Sequence, residues 1–567
     1  MFLMKFSLSA FALSVVVSFG TAVVADPNAG AYLAGRQAMR DNDFAQASRY
    51  VTSALMEDPS NGYLLDRAMT AYLALGQNDQ AIVIAQGIVD QGNNSQVANL
   101  VLQMDAARRA DWDAVFYALE QGHGISPVID GIAQGWAHLG QGDMGKAGDS
   151  FDHVIEAEGM EIYGATHKAY ALASVGDFEG ADALFARPIP GGMRYNWQSA
   201  IAHAQVLSQL GRNPDAIAIL DGVFGQQMDP RVAALRDQLV AGDAVAYNAV
   251  TTPAQGVAEI YFTTASAVQS EAPDAYTLMF ARAANALWPA NTTIAIMNAA
   301  LLENLHQYDL ANTVYSSVPR EDPAYHAAEL GRADVLRAGG RVDAAIEVLD
   351  ALARGFPNLP QVFANQGDTL RQATRYADAV ASYSRALELY PDDNPTKWFI
   401  YYTRGICLDR TGDWTAAESD FRMALALRPN HPQVLNYLGY SLVERGEKLE
   451  EALAMLETAA SAQPENGAII DSLGWVLFRM ARYDEAVGLL ETAASLEPVD
   501  SVVNDHLGDV YWAVGREIEA RFQWQRALSF DPTETEAARI RDKMDRGLDL
   551  VLLDEGLAPV RIARGDN

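Results

Sequence analysis

The sequence has little cysteine, an excess of acidic over basic residues, and no short proline–glycine period. The single cysteine, Cys407, cannot form an internal disulfide or a cysteine-based zinc or iron–sulfur site. Lys and Arg number 41 against 73 Asp and Glu, a formal net charge of −32. This balance argues against a nucleic-acid-binding protein, because phosphates attract a basic surface. A hydrophobic content of 50% is too high for a disordered chain.

The common catalytic motifs are also missing. The sequence contains no His-Glu-x-x-His, no P-loop and no Gly-x-Ser-x-Gly. The 9 histidines are scattered, and the abundant carboxylates are typical of a solvated acidic face. We therefore predict a protein that is not an enzyme and holds no cofactor or metal. A hydrolase site assembled from distant parts of the chain stays open as an alternative.

The N-terminal segment 1–25 has the layout of a secretory signal peptide. A basic Lys5 precedes the apolar run 6–19, and small residues lead up to Ala25, after which we expect cleavage. The alternative is a membrane anchor, but a membrane span needs about 20 apolar residues. A lipid anchor needs a cysteine at the start of the mature chain, and the only cysteine is Cys407, which we expect to be buried on a helix. The sequence thus predicts an exported, soluble, unlipidated periplasmic protein with no transmembrane anchor after cleavage.

A regular repeat organises the C-terminal half. Six prolines recur at nearly equal intervals, each follows an alanine at a fixed distance, and a bulky residue stands four positions after each alanine. The prolines are Pro357, Pro391, Pro429, Pro464, Pro498 and Pro532, and the alanines are Ala345, Ala379, Ala417, Ala452, Ala486 and Ala520. A period of about 34 residues, with an Ala-x3-bulky step and a final Pro, is typical of tetratricopeptide helix pairs. Weaker copies fill the N-terminal half.

The predicted fold is an all-α tetratricopeptide helical-hairpin solenoid, a superhelix with a C-terminal capping helix. The phase of the repeat breaks at Gly242 and Pro253, and 534–553 is expected to form one long closing helix. The predicted organisation is a signal peptide (1–25), degenerate repeats (26–240), a connector (241–256), clearer repeats (257–533), and a capping helix with a tail (534–567).

The repeat phase assigns certain positions of each first helix to a concave groove. We predict that this groove binds a partner through a set of aromatic, acidic, amide and arginine side chains: Tyr402, Asn436, Tyr440, Asp471, Trp475, Phe478, Arg479, Asp505, Asp509 and Trp512. Aromatic residues and Arg are the usual anchors of protein interfaces. The alternative for Tyr440, Trp475 and Trp512 is packing between helices. Because Asn436, Asp471 and Asp505 occupy matched inward positions, we expect a neutral or basic stretch of partner and not a free carboxylate.

Three segments carry a more specific resemblance: 436–446, 470–479 and 505–512. They resemble the C-terminal repeats of exported tetratricopeptide proteins of Gram-negative bacteria, a family that includes the adaptor of a periplasmic carboxyl-terminal processing protease. The resemblance implies an adaptor that wraps such a protease and captures its substrates, including peptidoglycan hydrolases. This chain lacks the lipid-bearing cysteine, which favours a free periplasmic adaptor. The alternative function is a scaffold for outer-membrane or surface-polysaccharide assembly.

Overall fold

The computed structural model describes residues 27–187, 197–225, 228 and 230–560, and all regular elements in those residues are α-helices. The predicted signal peptide, 1–25, lies outside the described residues. The chain divides into two compact units between Arg341 and Val342. The predicted all-α fold is confirmed.

The N-terminal unit holds eighteen of the described helices. They are α1 (Pro27–Arg40), α2 (Phe44–Glu57), α3 (Gly62–Ala74), α4 (Asn78–Asp90), α5 (Gln96–Arg108), α6 (Trp112–Glu120), α7 (Pro127–Gly140), α8 (Met144–Glu156), α9 (Glu161–Ser174), α10 (Phe178–Phe185), α11 (Trp197–Gln209), α12 (Asn213–Phe224), α13 (Pro230–Ala241), α14 (Pro253–Val268), α15 (Asp274–Leu287), α16 (Thr292–Asn304), α17 (Tyr308–Tyr315) and α18 (Tyr325–Ala338).

The C-terminal unit holds the other thirteen. They are α19 (Val342–Gly355), α20 (Pro360–Gln372), α21 (Tyr376–Leu389), α22 (Lys397–Arg410), α23 (Trp414–Leu427), α24 (Pro432–Arg445), α25 (Leu449–Ala462), α26 (Gly467–Arg479), α27 (Tyr483–Leu496), α28 (Ser501–Ala513), α29 (Glu517–Leu528), α30 (Glu534–Arg546) and α31 (Leu548–Asp554).

Most of these helices pair into hairpins with their neighbour in sequence. In α28–α29, Gly508 allows the close approach, because a Cβ there would lie 2.4 Å from the ring of Trp524. In α22–α23, Asp413 caps the second helix by accepting a hydrogen bond from the backbone NH of Ala416 (3.2 Å). The small and bulky residues of the repeat therefore meet inside each hairpin, and Cys407 lies buried in α22 as expected.

In the N-terminal unit, the chain fills its own inner face. Helices α14 and α15 pack against α3, α5, α7 and α9, which are the first helices of their hairpins. Tyr261 donates a hydrogen bond from Oη to Oε1 of Gln103 (2.7 Å), and the buried Arg282 donates from Nε to the carbonyl oxygen of Ala74 (2.9 Å). These buried polar contacts fix α14 and α15 in one position among the earlier repeats.

The segment predicted as a connector contains no helix between Ala241 and Pro253. It is fastened to α11, because Gln198 donates to the carbonyl oxygen of Ala249 (3.1 Å) and Gln205 donates to Oδ1 of Asn248 (2.7 Å). The compact units divide well beyond this segment, at Arg341–Val342. The domain boundaries derived from the repeat phase stay predictions.

The closing helix is interrupted, contrary to the expectation of one helix over 534–553. Helix α30 ends at Arg546 and α31 begins at Leu548. Gly547 between them has φ 84°, and a Cβ there would lie 2.5 Å from the ring of Trp512. A residue with a side chain could adopt this turn only if the ring of Trp512 were displaced. Glycine has no side chain and tolerates the positive φ, so it is suited to this bend.

Candidate interaction surface of the C-terminal repeats

The predicted groove residues lie on α22, α24, α26 and α28, the first helices of four successive hairpins. Their common register follows from the repeat, since neighbouring hairpins place equivalent positions side by side. Whether a partner protein binds them stays a prediction. Their surroundings in the C-terminal unit show what each side chain contacts within this chain.

Trp475 lies in an aromatic stack and is only 7% exposed. Its ring stacks on Phe478 with a centroid distance of 4.7 Å and on His506 with a centroid distance of 3.9 Å. Its Nε1 donates a hydrogen bond to Oε1 of Glu444 (2.7 Å). An indole with two stacked neighbours and a satisfied NH contributes to the packing of α26 against α28.

Asp471 pairs with His506 across the α26–α28 contact. His506 Nδ1 lies 2.9 Å from Oδ2 of Asp471, and both side chains are buried. Burial alone would lower the pKa of His506, but the nearby carboxylates of Asp471, Asp505 and Asp509 outweigh it and raise that pKa above its ordinary value. Asp471 is therefore engaged by a histidine outside the predicted set of groove residues.

Asp505 and Asp509 form an acidic pair, one helical turn apart on α28. Lys543 of α30 places its Nζ 2.5 Å from Oδ1 of Asp505 and 2.7 Å from Oδ1 of Asp509. Arg539 adds longer ion pairs of 3.8 and 3.7 Å to the same two carboxylates. Trp524 donates from Nε1 to Asp509 (2.8 Å). The basic stretch that meets these acids in the structure thus belongs to the chain's own closing helix.

Trp512 and Tyr402 also make contacts within the unit. Trp512 donates from Nε1 to Oδ2 of Asp549 on α31 (2.9 Å). The ring of Tyr402 lies 6.3 Å from that of Tyr437 and 6.2 Å from that of Phe421. These two aromatic residues are thereby integrated into the packing of the C-terminal unit.

Three further predicted positions are less engaged. Asn436 has a buried Oδ1 with no hydrogen-bond partner among the described residues. Arg479 lies 3.8 Å from Oε1 of Glu444. Burial raises the pKa of the Tyr440 phenol, and the negative charge of Glu444, on the same helix as Tyr440, raises it further. Tyr440 and Arg479 both face a cavity beside α30.

This cavity lies on the inner face of the C-terminal unit, the side formed by the first helices of its hairpins, at a place that α30 leaves uncovered. It encloses about 520 Å³ and takes its walls from α24, α26, α28, α30 and the residues after α31. Four predicted residues line it: Tyr440, Trp475, Arg479 and Asp505. Val502, Ile540 and Leu557 supply apolar wall, and Glu444, Glu536 and Glu555 alternate with Arg445 and Arg539. The structure thus brings part of the predicted groove into one cavity and covers the part around Asp509 with α30.

The described part of the chain contains neither a metal-type cluster nor a membrane-spanning helix. No group of three or more His, Cys, Asp or Glu side chains there is arranged to hold a metal ion. Among the same residues, no helix is long and apolar enough to cross a membrane.

Family models described as tetratricopeptide repeat match residues 38–104, 296–360, 364–432 and 402–467. This chain carries tetratricopeptide repeats. The predicted repeats are thereby confirmed within these segments, of which 38–104 belongs to the degenerate N-terminal repeats.

Similar proteins come from distant sources. A TPR repeat-containing protein of Pseudomonas aeruginosa is 32% identical over 156 residues, which are 27% of this chain and 26% of that protein. The match thus spans about a quarter of that relative's length. Tetratricopeptide repeat protein 13 of Homo sapiens is 26% identical over 172 residues, 30% of this chain and 19% of that protein. The crystal structure of the APC/C hetero-tetramer Cut9–Hcn1 aligns with a TM-score of 0.38 and 13% identity, covering 92% of this chain and 96% of that one.

Proposed function

We propose that this chain is a non-catalytic scaffold that binds other proteins in the bacterial periplasm. The tetratricopeptide repeats support the binding role, because stacked hairpins present extended surfaces suited to protein partners. The observation that carries the proposal is the cavity beside α30, where Tyr440 and Arg479 meet the apolar Val502 and Leu557. An aromatic, a cationic and an apolar side chain in one concavity are the groups that anchor protein interfaces.

The periplasmic location rests on the sequence of residues 1–25, whose basic start, apolar core and small residues before Ala25 favour export. The identity of the partners rests on the resemblance of 432–532 to envelope adaptors. On that basis we infer an adaptor that brings a carboxyl-terminal processing protease together with peptidoglycan hydrolases.

Affinity purification tests this function. The full chain with a C-terminal tag is expressed in a Gram-negative host and recovered from envelope extracts, and bound proteins are identified by mass spectrometry. The expected result is enrichment of a serine-type processing protease or of cell-wall hydrolases. Recovery of neither class would contradict the adaptor assignment.

A cavity variant sharpens the same experiment. Tyr440→Ala combined with Arg479→Gln removes two anchors that line the cavity and leaves α30 in place. The matched control is Arg354→Gln in α19, where no ion pair within the described residues is lost. Partner recovery is expected to fall with the cavity variant alone. Unchanged partner recovery with both the cavity variant and the control would show that the partner binds another surface.

The second candidate function is a scaffold for outer-membrane or surface-polysaccharide assembly. Export and helical repeats support it equally, and only the resemblance of 432–532 favours the protease adaptor. Synthesis or secretion components as the dominant captured proteins would favour this alternative.

A further inference from the structure

Helix α30 lies on the inner face of α28 and makes its contacts there mainly through charge. Two cations four residues apart, Arg539 and Lys543, meet two carboxylates four residues apart, Asp505 and Asp509. Residues four apart share one helix face, and each of the two cations lies near both carboxylates. The side chains of Lys543 and Asp509 are 0% and 1% exposed, so this pair is desolvated, whereas Arg539 and Asp505 keep part of their exposure.

Apart from this charge contact with α28, α30 packs on α29 and α31. Of its thirteen residues only Ala537, Ile540 and Lys543 are buried, and seven of the others are exposed. Helix α26, by comparison, buries eleven of its thirteen residues. A buried ion pair adds little net stability, because the free energy of removing both charges from water offsets most of their attraction. The charge contact with α28 therefore contributes little net free energy to holding α30 in this position.

A residue with left-handed backbone conformation flanks α30 at each end. Asp531 before it has φ 49° and Gly547 after it has φ 84°. Beyond Gly547, α31 is anchored by the buried Leu548, Val551 and Leu552. Helix α30 thus lies between two left-handed backbone positions, and the segment after it is fixed by apolar packing that does not involve the carboxylates of α28.

We propose that the inner face of α28 is the receiving surface for a cationic helix of a partner protein, and that α30 is its resident competitor. The partner helix carries two basic residues four positions apart with a small or aliphatic residue beside them, the pattern formed by Ala537, Arg539, Ile540 and Lys543. When it binds, α30 leaves Asp505 and Asp509 and its own cations return to water. Acidic helices are rejected, because Asp505 and Asp509 lie at the surface they would have to approach.

The position of α30 determines how much of the inner face is open. With α30 in place, the inner face is reduced to the cavity of about 520 Å³ that Tyr440 and Arg479 line. With α30 displaced, the acidic pair joins that cavity and the concave surface is continuous from α24 to α28. Release of α30 therefore controls how much surface a partner can contact.

A peptide experiment on the full chain tests the exchange. The probe is a fluorescent peptide with the sequence of residues 530–548, and its binding is measured by anisotropy to the wild-type chain and to Arg539→Gln/Lys543→Gln. Neutralising both cations frees the acidic pair from its resident helix, so the variant is expected to bind the peptide at least tenfold more tightly. Equal binding to both chains would overturn the proposal.

Two controls separate the exchange from non-specific attraction of a basic peptide to an acidic protein. A scrambled peptide of the same composition is expected to bind the variant at least tenfold more weakly, and equal binding would overturn the proposal. The chain variant Arg541→Gln removes an exposed positive charge from α30. It is expected to bind the native-order peptide as the wild type does, and tightening equal to that of the double variant would also count against the exchange.

Hydrogen exchange of the wild-type chain tests how firmly α30 is held, whether or not the double variant folds. In hydrogen exchange followed by mass spectrometry, amides of α30 are expected to exchange at least tenfold faster than those of α26 and α28, and faster still in high salt. Protection of α30 equal to that of α28, independent of salt, would identify a permanent cap and overturn the proposal.

The inference rests on the proposed function for the existence of a partner. The two fail separately. If the affinity purification recovers partners whose amount is the same with the wild type and with Arg539→Gln/Lys543→Gln, the scaffold function stands and the exchange is refuted. If no partner is recovered but the peptide exchanges as described, the receiving surface stands and the adaptor assignment is refuted.

Discussion

Removing the amine of Lys543 gives the most informative stability change. Lys543→Met keeps the length of the side chain and its apolar stem but leaves Asp509, which is 1% exposed, without its closest cation. Breaking one partner of a buried ion pair typically costs about 3–5 kcal/mol, because the remaining charge stays desolvated. Arg539 lies 3.7 Å from Asp509 and compensates only part of this cost. We therefore expect the contact between α30 and α28 to be lost.

The loss is measured by urea unfolding with hydrogen exchange of peptides from α28 and α30, because repeat stacks need not unfold in one step. If α30 leaves its position, Asp509 becomes hydrated again. The decrease in the free energy of unfolding of the whole chain is then limited to about 1–3 kcal/mol, the range of ordinary destabilising changes. The matched control, Arg541→Met, replaces an exposed cation on the same helix and should change stability by less than about 0.5 kcal/mol. Equal effects of Lys543→Met and Arg541→Met would refute the reasoning.

Three further changes test other parts of the structure. Gly256→Ala should destabilise the N-terminal unit by about 1–3 kcal/mol in thermal unfolding, because its Cβ would lie 2.0 Å from the ring of Trp136; a neutral effect would contradict the packing. Because the pKa of His506 beside Asp471 is raised in the folded chain, the charged imidazole stabilises the C-terminal unit below its ordinary pKa, and this stabilisation is lost as the pH rises through the folded pKa. His506→Gln should remove this pH dependence of the free energy of unfolding, and a dependence that persisted would contradict the pairing. Burial raises the pKa of Glu259 to about 8, so the stability of the N-terminal unit should fall as the pH rises from about 4.5 to about 8. Glu259→Gln should therefore raise the free energy of unfolding by up to about 3 kcal/mol at pH 7, and no gain at that pH would contradict the burial.

The repeat architecture could be read from the sequence because it depends on local spacing. An alanine, a bulky residue and a proline at fixed offsets specify one helix hairpin and its contact with the next, and neither requires knowledge of distant segments. Gly508 opposite Trp524 shows the same rule in the structure, since the small and the bulky residue belong to one hairpin.

Contacts between distant segments could not be predicted in this way. Lys543 lies outside the repeat, so no periodic signal places it against Asp509. A signal was nevertheless present, because acids four residues apart on one helix and cations four residues apart on the next unpaired helix are complementary. Likewise, no repeat pattern indicates that α14 turns back onto the inner face of α7, which the approach of Gly256 to Trp136 requires.

The predicted binding role of Trp475 needs a separate test from its structural one. Its stacking on His506 and Phe478 means that replacement by Ala should cost about 3–5 kcal/mol of stability, a cost that would weaken binding through loss of structure. Tyr440 and Arg479, which line the cavity without such stacking, are therefore the better reporters of partner binding.

The most direct test of the account is a structure of the full chain in complex with a captured partner. The account predicts a cationic helix of the partner against Asp505 and Asp509, with α30 displaced from α28. A partner bound to the outer face of the repeats, with Lys543 still paired to both carboxylates, would contradict it.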